Sequence, residues 1–289
     1  MTTLRPWIHL LRIPQWSKNA VVFAALVFGD PSIELALVRA LVAFVAFCAL
    51  SSAGYIFNDW LDIERDRLHP VKKRRPLASG EVGPQFAIVL AALMASAALL
   101  ASWFVNPELA LVMLGYAVLM VAYSLRLKHV VLVDVFVIAT GFLLRAVAGA
   151  AAVEVPVSAW LMLCTMLLAL FLAFGKRRSE LVRLGDNAIG HRTVLAGYSL
   201  AVLDQFLVIT ATCAIMAYSI YTFTSESVPG NGIMMISVPP VIFAVFRYLL
   251  LVMKRGEGGA PEVLLWRDKP LLLSVMTWSV AVLAVMYLG

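Results

Sequence analysis

Stretches of apolar sequence long enough to cross a lipid bilayer dominate this chain, and they leave room for few architectures. A helix needs about 20 apolar residues to span the hydrocarbon. Nine candidates occur, at 18–29, 34–57, 85–105, 108–125, 130–152, 158–175, 200–223, 232–253 and 270–288. The first is short and gains length only if Ile13 to Lys18 joins it. Of the 289 residues, 62% are apolar and 14% charged, too few charges to coat a soluble body of this size. Lipid admits only segments that satisfy their own backbone, so the expectation is an all-α polytopic membrane protein with nine transmembrane helices, a single transmembrane domain over 1–289. The Met1–Asn19 stretch, with Trp7, Trp16, Arg5, Arg12 and Lys18 but no long apolar core, reads as interfacial rather than as a signal peptide. Cys48, Cys164 and Cys213 all fall in apolar runs and match no metal spacing, so they read as packing residues.

Loop charges set an orientation. Arg5, Arg12 and Lys18 precede the first span, and Arg65, Arg67, Lys72, Lys73, Arg74 and Arg75 lie between the second and third. Arg126 and Lys128 follow the fourth, and Lys176, Arg177, Arg178, Arg183 and Arg192 follow the sixth. Lys254, Arg255, Arg267 and Lys269 follow the eighth, so these loops hold 20 of the 23 Lys and Arg. The opposite loops carry Asp30, Glu34, Glu108, Glu154 and Glu226, with Arg39 nearby. The positive-inside rule puts the basic loops, and with them the N-terminus, in the cytoplasm and the C-terminus outside, in a multi-pass plasma-membrane protein. Basic inner loops are what such a protein needs anyway, so the +6 net charge implies no nucleic acid partner. The polar loops are the inner ones, and a site would open there.

The second span runs into Asn58-Asp59-Trp60-Leu61-Asp62-Ile63-Glu64-Arg65-Asp66. Residues 58, 62 and 66 recur every four positions and stack on one face of a continuing helix. Three such oxygen-bearing side chains repel one another without a cation. They suit Mg2+, which takes oxygen ligands, keeps waters and bridges to phosphates. Lys72-Lys73-Arg74-Arg75 follows as a phosphate-binding cluster. The competing reading is a solvated helix end whose acids pair locally with Arg65 and Arg67. Asp59 and Glu64 point off the face, Asp59 fitting a supporting role.

The stretch NDWLDIERDRLHPVKKRRPLASG (58–80) resembles the first aspartate motif of the UbiA superfamily of intramembrane prenyltransferases. QWSKN (15–19), YSLRLKH (123–129), FLLRAVAGA (142–150) and GKRRSEL (175–181) extend the resemblance over nearly the whole chain. It implies nine helices around a central cavity open to the cytoplasm, with Asn58, Asp62 and Asp66 as catalytic metal ligands for Mg2+. Prenyltransferases of this superfamily resemble one another in a second DxxxD motif after the sixth span. Here that position holds Lys176, Arg177 and Arg178 with Glu180, cations that favour phosphate directly or simply anchor an inner boundary. The chain is most similar to the branch that moves phosphoribose from 5-phosphoribosyl 1-diphosphate to a polyprenyl phosphate for cell-wall arabinan precursors. That resemblance implies a Mg-dependent membrane glycosyltransferase and a homo-oligomer. Prenyl transfer from a prenyl diphosphate to an aromatic acceptor is the alternative. A transporter would need charges at mid-membrane and inverted repeats, and neither stands out.

Other polar residues fall beside this face. Lys18 and Asn19 either touch phosphate at the cavity mouth or snorkel. Tyr123 and Lys128 straddle the inner end of the fourth span, where the superfamily has a diphosphate neighbour. Asp134, one turn into the fifth span, is a functional candidate that binds a ribose hydroxyl or orients Lys128. Arg145, about 16 Å further along the helix, reads as paired or snorkelling towards the outer leaflet. Arg247 and Asp204 read as ordinary interface charges. His9, His69, His129 and His191 show no zinc spacing, and GEGGAP (256–261) reads as a flexible loop without a nucleotide cradle.

Overall fold

The computed structural model describes residues 5–29, 34–184, 193–225, 228 and 232–288. Asp30, His191, Arg192 and Glu226 lie outside the described residues. Among those described, no strand occurs. Helix α1 (Arg5–Leu11) turns at Arg12, whose backbone is left-handed (φ 52°), into a 3-10 helix (Ile13–Phe23) continued by α2 (Ala24–Phe28). Then come α3 (Ala36–Leu61), α4 (Ile63–Leu68), a 3-10 turn (Lys72–Arg74), α5 (Pro76–Ser79), α6 (Pro84–Val105) and α7 (Pro107–Leu125). A turn at Leu127–His129 leads to α8 (Val133–Val153) and α9 (Ala159–Leu184). After Thr193–Gly197 follow α10 (Leu200–Thr224), a 3-10 turn (Ile233–Ser237), α11 (Val238–Arg255), α12 (Pro261–Arg267) and α13 (Lys269–Leu288).

Among the described residues eight helices are long and apolar enough to cross a membrane: α3, α6 to α10, α11 with the turn before it, and α13. They match eight of the nine stretches read from sequence. The ninth, 18–29, differs: it is a 3-10 helix with five α-helical residues after it. A 3-10 helix rises about 2.0 Å per residue against 1.5 Å in an α-helix. The 16 residues from Ile13 to Phe28 therefore reach about 30 Å, the hydrocarbon thickness. Elsewhere the punctuation is local. Asn106 caps α7 by accepting the Glu108 N–H at 2.8 Å, and Ser199 caps α10 through the Val202 N–H at 3.2 Å. Proline opens α6, α7 and α11, where its missing N–H costs nothing. Lipid-facing side chains such as Leu93, Phe104, Leu111 and Leu273 are exposed, as a chain solvated by hydrocarbon requires.

The chain forms two compact units. The first comprises Met1–Leu26, Pro31–Lys128 and Leu144–Val155. In it α3 packs along α6, with buried Ala46 and Ala98 in one core cluster and Ala53, Ala87 and Ala91 in another. Small residues let helix backbones approach closely where lipid offers no hydrophobic drive. Polar groups inside are satisfied in the same way: Trp16 donates to Ser52 Oγ at 3.0 Å, and Ser52 donates to the Leu11 carbonyl at 2.7 Å.

Among the described glycines of this unit Gly149 is the most closely approached, and a Cβ there would stand 2.0 Å from the Val22 carbonyl oxygen. One turn earlier Arg145 donates through Nε to Asn19 Oδ1 at 2.7 Å and through Nη2 to the Tyr116 hydroxyl at 2.9 Å. Its guanidinium also lies over the Tyr116 ring, 4.8 Å from the centroid. Arg145 is 6% exposed, so snorkelling is overturned: neutral acceptors and an aromatic face hold the cation inside. Asn19 is buried as well, and its amide donates to Ser51 Oγ and Cys48 Sγ at 3.3 Å. Asn19 therefore belongs to the packing of the 3-10 segment against α3 and α8 rather than to a cavity mouth. Gly149→Ala is expected to destabilise the protein by about 1–3 kcal/mol, since the obstacle is backbone that cannot yield. Thermal unfolding in detergent checks this.

The second unit comprises Val27–Asp30, His129–Leu143 and Pro156–Gly289. Its core joins Phe171 and Phe174 of α9 with Leu203 and Leu207 of α10 and Tyr248 and Leu251 of α11. The 256–261 segment is packed, which corrects its reading as a flexible loop. Gly256 ends α11 in the left-handed region (φ 68°), and the buried Gly258 N–H donates to Ser179 Oγ at 2.7 Å. Cys48 is buried, but Cys213 is exposed on the outside of α10, so that cysteine is not a packing residue.

Candidate functional site

The polar end of α3 is the richest constellation in the first unit. The helix runs to Leu61, breaks at Asp62 (φ −100°, ψ 8°) and resumes at Ile63. The 1–5 hydrogen bonds nevertheless persist across the break, from Asp62 N to Asn58 O at 3.1 Å and from Asp66 N to Asp62 O at 2.8 Å. Asn58, Asp62 and Asp66 therefore stay one turn apart, as their spacing requires, although the axis changes there.

The charges on this face are met from afar. Lys128 Nζ donates to Asp62 Oδ1 and Oδ2 at 2.9 and 2.8 Å and to Asn58 Oδ1 at 3.2 Å. Three oxygens from two residues thus converge on one cation, with Lys128 11% and Asp62 20% exposed. Asp66 is engaged separately: Arg75 Nη1 lies 2.6 Å from its Oδ2 and 3.0 Å from Asp59 Oδ1. Asp59 also accepts from Arg12 at 2.5 Å, and the Arg12 guanidinium lies 4.5 Å from the Tyr55 ring centroid. Burial pushes the Asp66 carboxyl above its ordinary value, and the Arg75 guanidinium offsets this only in part. Of the acids in this stretch only Glu64 pairs with a near neighbour, Arg67 at 2.8 Å. The reading of a helix end neutralised by Arg65 and Arg67 does not describe it.

These oxygens fit a small divalent ion. The amide and carboxylate of Asn58 and Asp62 already converge on a positive charge, and magnesium prefers such hard donors with waters filling the rest. Asp66 stands one turn beyond, paired with Arg75. Among the described residues, no three His, Cys, Asp or Glu side chains gather to hold a metal, and the donor set brought together here is the Asn58 amide with the Asp62 carboxylate. Around this pair Lys73 and Arg74 are exposed and Lys72 is half-buried. Lys18 donates to Gln15 Oε1. Tyr123 is half-buried on the last turns of α7.

A different network occupies the second unit. Helix α9 continues to Leu184, so GKRRSEL is its last turns and not a loop. Arg177 donates through Nε to Asp134 Oδ2 at 2.6 Å and through Nη1 to Glu180 at 2.8 Å. Tyr198 donates to Asp134 Oδ1 at 2.9 Å and accepts the Leu132 N–H at 2.8 Å. Burial pushes the Tyr198 phenol up to about 12, so it stays protonated as a donor. Arg177 is 1% and Asp134 0% exposed. The expectation that Arg177 faces a phosphate and Asp134 a ribose is revised: each is turned into the unit's interior and engaged with the other. Arg178 binds Asp204 at 2.5 Å and the Val252 carbonyl at 2.9 Å, so its guanidinium too serves a carboxylate. Lys176 is half-buried beside them. Arg247 and Asp268 form a bidentate pair at 3.0 and 2.8 Å, which makes Arg247, like Asp204, more than an ordinary interface charge.

Arg12 and Tyr198 were missed in the sequence. Arg12 meets Asp59 across 47 residues and Tyr198 meets Asp134 across 64, separations that carry no local signal.

Comparison with known proteins adds three findings. Residues 20–267 match the UbiA prenyltransferase family. The decaprenyl-phosphate phosphoribosyltransferase of Mycolicibacterium smegmatis is 33% identical, over 97% of this chain and 92% of that one. That of Corynebacterium glutamicum is also 33% identical, over 97% and 86%. Among solved structures, a UbiA homologue from Archaeoglobus fulgidus bound to GPP and Mg2+ superposes with a TM-score of 0.75. It is 19% identical, with 97% of this chain and 99% of that one covered.

Proposed function

The chain belongs to the UbiA prenyltransferase family, and within it we propose that this membrane enzyme transfers 5-phosphoribose from 5-phosphoribosyl 1-diphosphate to a polyprenyl phosphate, releasing diphosphate. The observation that carries the reading is the near full-length identity to phosphoribosyltransferases of two genera. The site geometry is compatible with it. One oxygen pair converges on a cation at Asn58 and Asp62, while the α9 segment 175–181 offers Glu180 alone as an acid, engaged by Arg177. That charge pattern fits one metal-bound diphosphate better than a double carboxylate cage.

Asn58, Asp62 and Asp66 would hold Mg2+, which would supply positive charge to the leaving diphosphate. Lys128, Lys72, Lys73, Arg74 and Arg75 take the phosphates, with Lys18 and Tyr123 as further contacts. The acceptor phosphate oxygen attacks the anomeric carbon as the bond to diphosphate breaks. It is anionic at neutral pH, so no protein base is required. Asp134 and Arg177 position α8 and α9 rather than touch the sugar. The basic loops face the cytoplasm, with the N-terminus inside and the C-terminus outside. The product feeds cell-wall arabinan precursors, and the enzyme works as a homo-oligomer in a bacterial plasma membrane.

Purified protein with radiolabelled phosphoribosyl diphosphate and decaprenyl phosphate is expected to yield a labelled lipid in the presence of Mg2+ and none after chelation. No labelled lipid under either condition would reject this reading. Fold likeness to a homologue bound to GPP favours one alternative, prenyl transfer from a prenyl diphosphate to an aromatic acceptor. Product from that pair would select it.

A further inference from the structure

The way Lys128 sits on the oxygen pair has a consequence for the order in which ligands bind. Its ammonium donates to both oxygens of Asp62 and to Asn58 Oδ1, all within 3.2 Å. The other acids nearby have their own cations: Arg75 serves Asp66, and Arg12 with Arg75 serves Asp59. Lys128 is therefore the positive charge that balances this pair. A divalent ion ligated by the same three oxygens would stand within about one bond length of the ammonium, since metal–oxygen bonds are about 2 Å long. Both cations cannot occupy that place.

We propose that Lys128 is the resident counter-ion of Asn58 and Asp62, and that a divalent metal displaces it only when it arrives with a diphosphate, onto which the ammonium then turns. The inference rests on the metal–diphosphate part of the function proposed above. The charge balance gives the direction. Exchanging an ammonium for a bare divalent ion adds two positive charges while leaving the lysine, mostly buried at 11% exposure, without its carboxylate. Stranding a buried charge is costly. A diphosphate brings the compensating negative charge and gives the ammonium new oxygens. A lysine suits the exchange, being a compact charge on a flexible stem. Metal and anion are thus coupled through one side chain, each strengthening the other's binding by the same factor.

The test uses the full chain in nanodiscs with Mn2+ as an EPR-visible metal and inorganic diphosphate as the anion, without sugar or lipid. Wild-type protein is expected to bind Mn2+ alone weakly and about tenfold or more tightly once diphosphate is present, a coupling of ordinary allosteric size. Lys128→Met is expected to bind Mn2+ alone about tenfold more tightly and to lose most of the coupling, while Lys128→Arg keeps the weak binding of metal alone. Equal Mn2+ affinity in wild type with and without diphosphate overturns the proposal, and this arm needs no variant to fold. Lys128→Met binding Mn2+ alone as weakly as wild type overturns it as well. If the coupling is found but phosphoribosyl transfer is not, the sugar-donor reading falls and the counter-ion role of Lys128 stands.

Discussion

Asp62→Asn is expected to lower turnover by about a hundredfold to a thousandfold while leaving the protein folded, the cost of losing one preorganised electrostatic contact to a developing charge. An amide at this position keeps one interaction of the carboxylate and loses another. Its Oδ1 still accepts from Lys128, so the bond that now joins Asp62 to that ammonium at 2.9 Å survives in neutral form, but the mostly buried ammonium loses its carboxylate, and about 1–3 kcal/mol of stability goes with it. The negative charge that would hold a metal on a diphosphate is gone. Activity and Mn2+ binding should fall together, with a lowered melting temperature that still leaves the protein folded under assay conditions. Normal activity in Asp62→Asn would reject the metal assignment. Asp66→Asn makes an informative partner, because burial already disfavours that carboxylate and Arg75 keeps Asp59 as its anion, so rate should fall at little cost in stability. The two variants are therefore expected to separate in a plot of activity against melting temperature, Asp62→Asn losing both and Asp66→Asn chiefly the first.

The existence of the long helices was legible because lipid imposes a simple rule on length and polarity, but their ends were legible only where turn residues mark them, and α9 runs past the stretch 158–175 to Leu184. The sequence stretch 85–105 and helix α6 (Pro84–Val105) differ by one residue, since Gly83-Pro84 and Asn106-Pro107 punctuate both ends. The 3-10 segment was not legible. Its residues are apolar in the ordinary way, and what holds it is tertiary: Gly149 admits the Val22 carbonyl and Arg145 binds Asn19, both from α8. The acid face was legible as a spacing of four, but not its partners. Nothing local says that Lys128 meets Asp62 across 66 residues, or that Arg75 serves Asp59 and Asp66 at once. The basic run 176–178 misled for the same reason. A Lys-Arg-Arg at an inner boundary looks like an anion site until Asp134 and Asp204 are found beside it.

Arg177→Met is expected to destabilise the protein by about 3–5 kcal/mol, because it leaves the Asp134 carboxylate buried with its cation removed. The pair is among the most enclosed in the molecule, at 1% and 0% exposure, and Tyr198 supplies only a neutral hydrogen bond to the stranded acid. Removing both charges together reverses the sign of the argument. Asp134→Leu with Arg177→Met exchanges an ion pair for apolar groups, and such exchanges are often neutral or stabilising, so the double variant is expected to recover most of the loss in thermal unfolding. The same pair of variants separates two roles for Arg177. A guanidinium that bound a substrate phosphate would be missed in the double variant whatever its stability, and KM for the donor would stay high. A guanidinium that holds α9 against α8 is replaced by apolar contact, and KM should return towards the wild-type value along with the melting temperature. The enclosure of Arg177 predicts the second outcome, and a double variant that is stable but retains a raised KM would reject it.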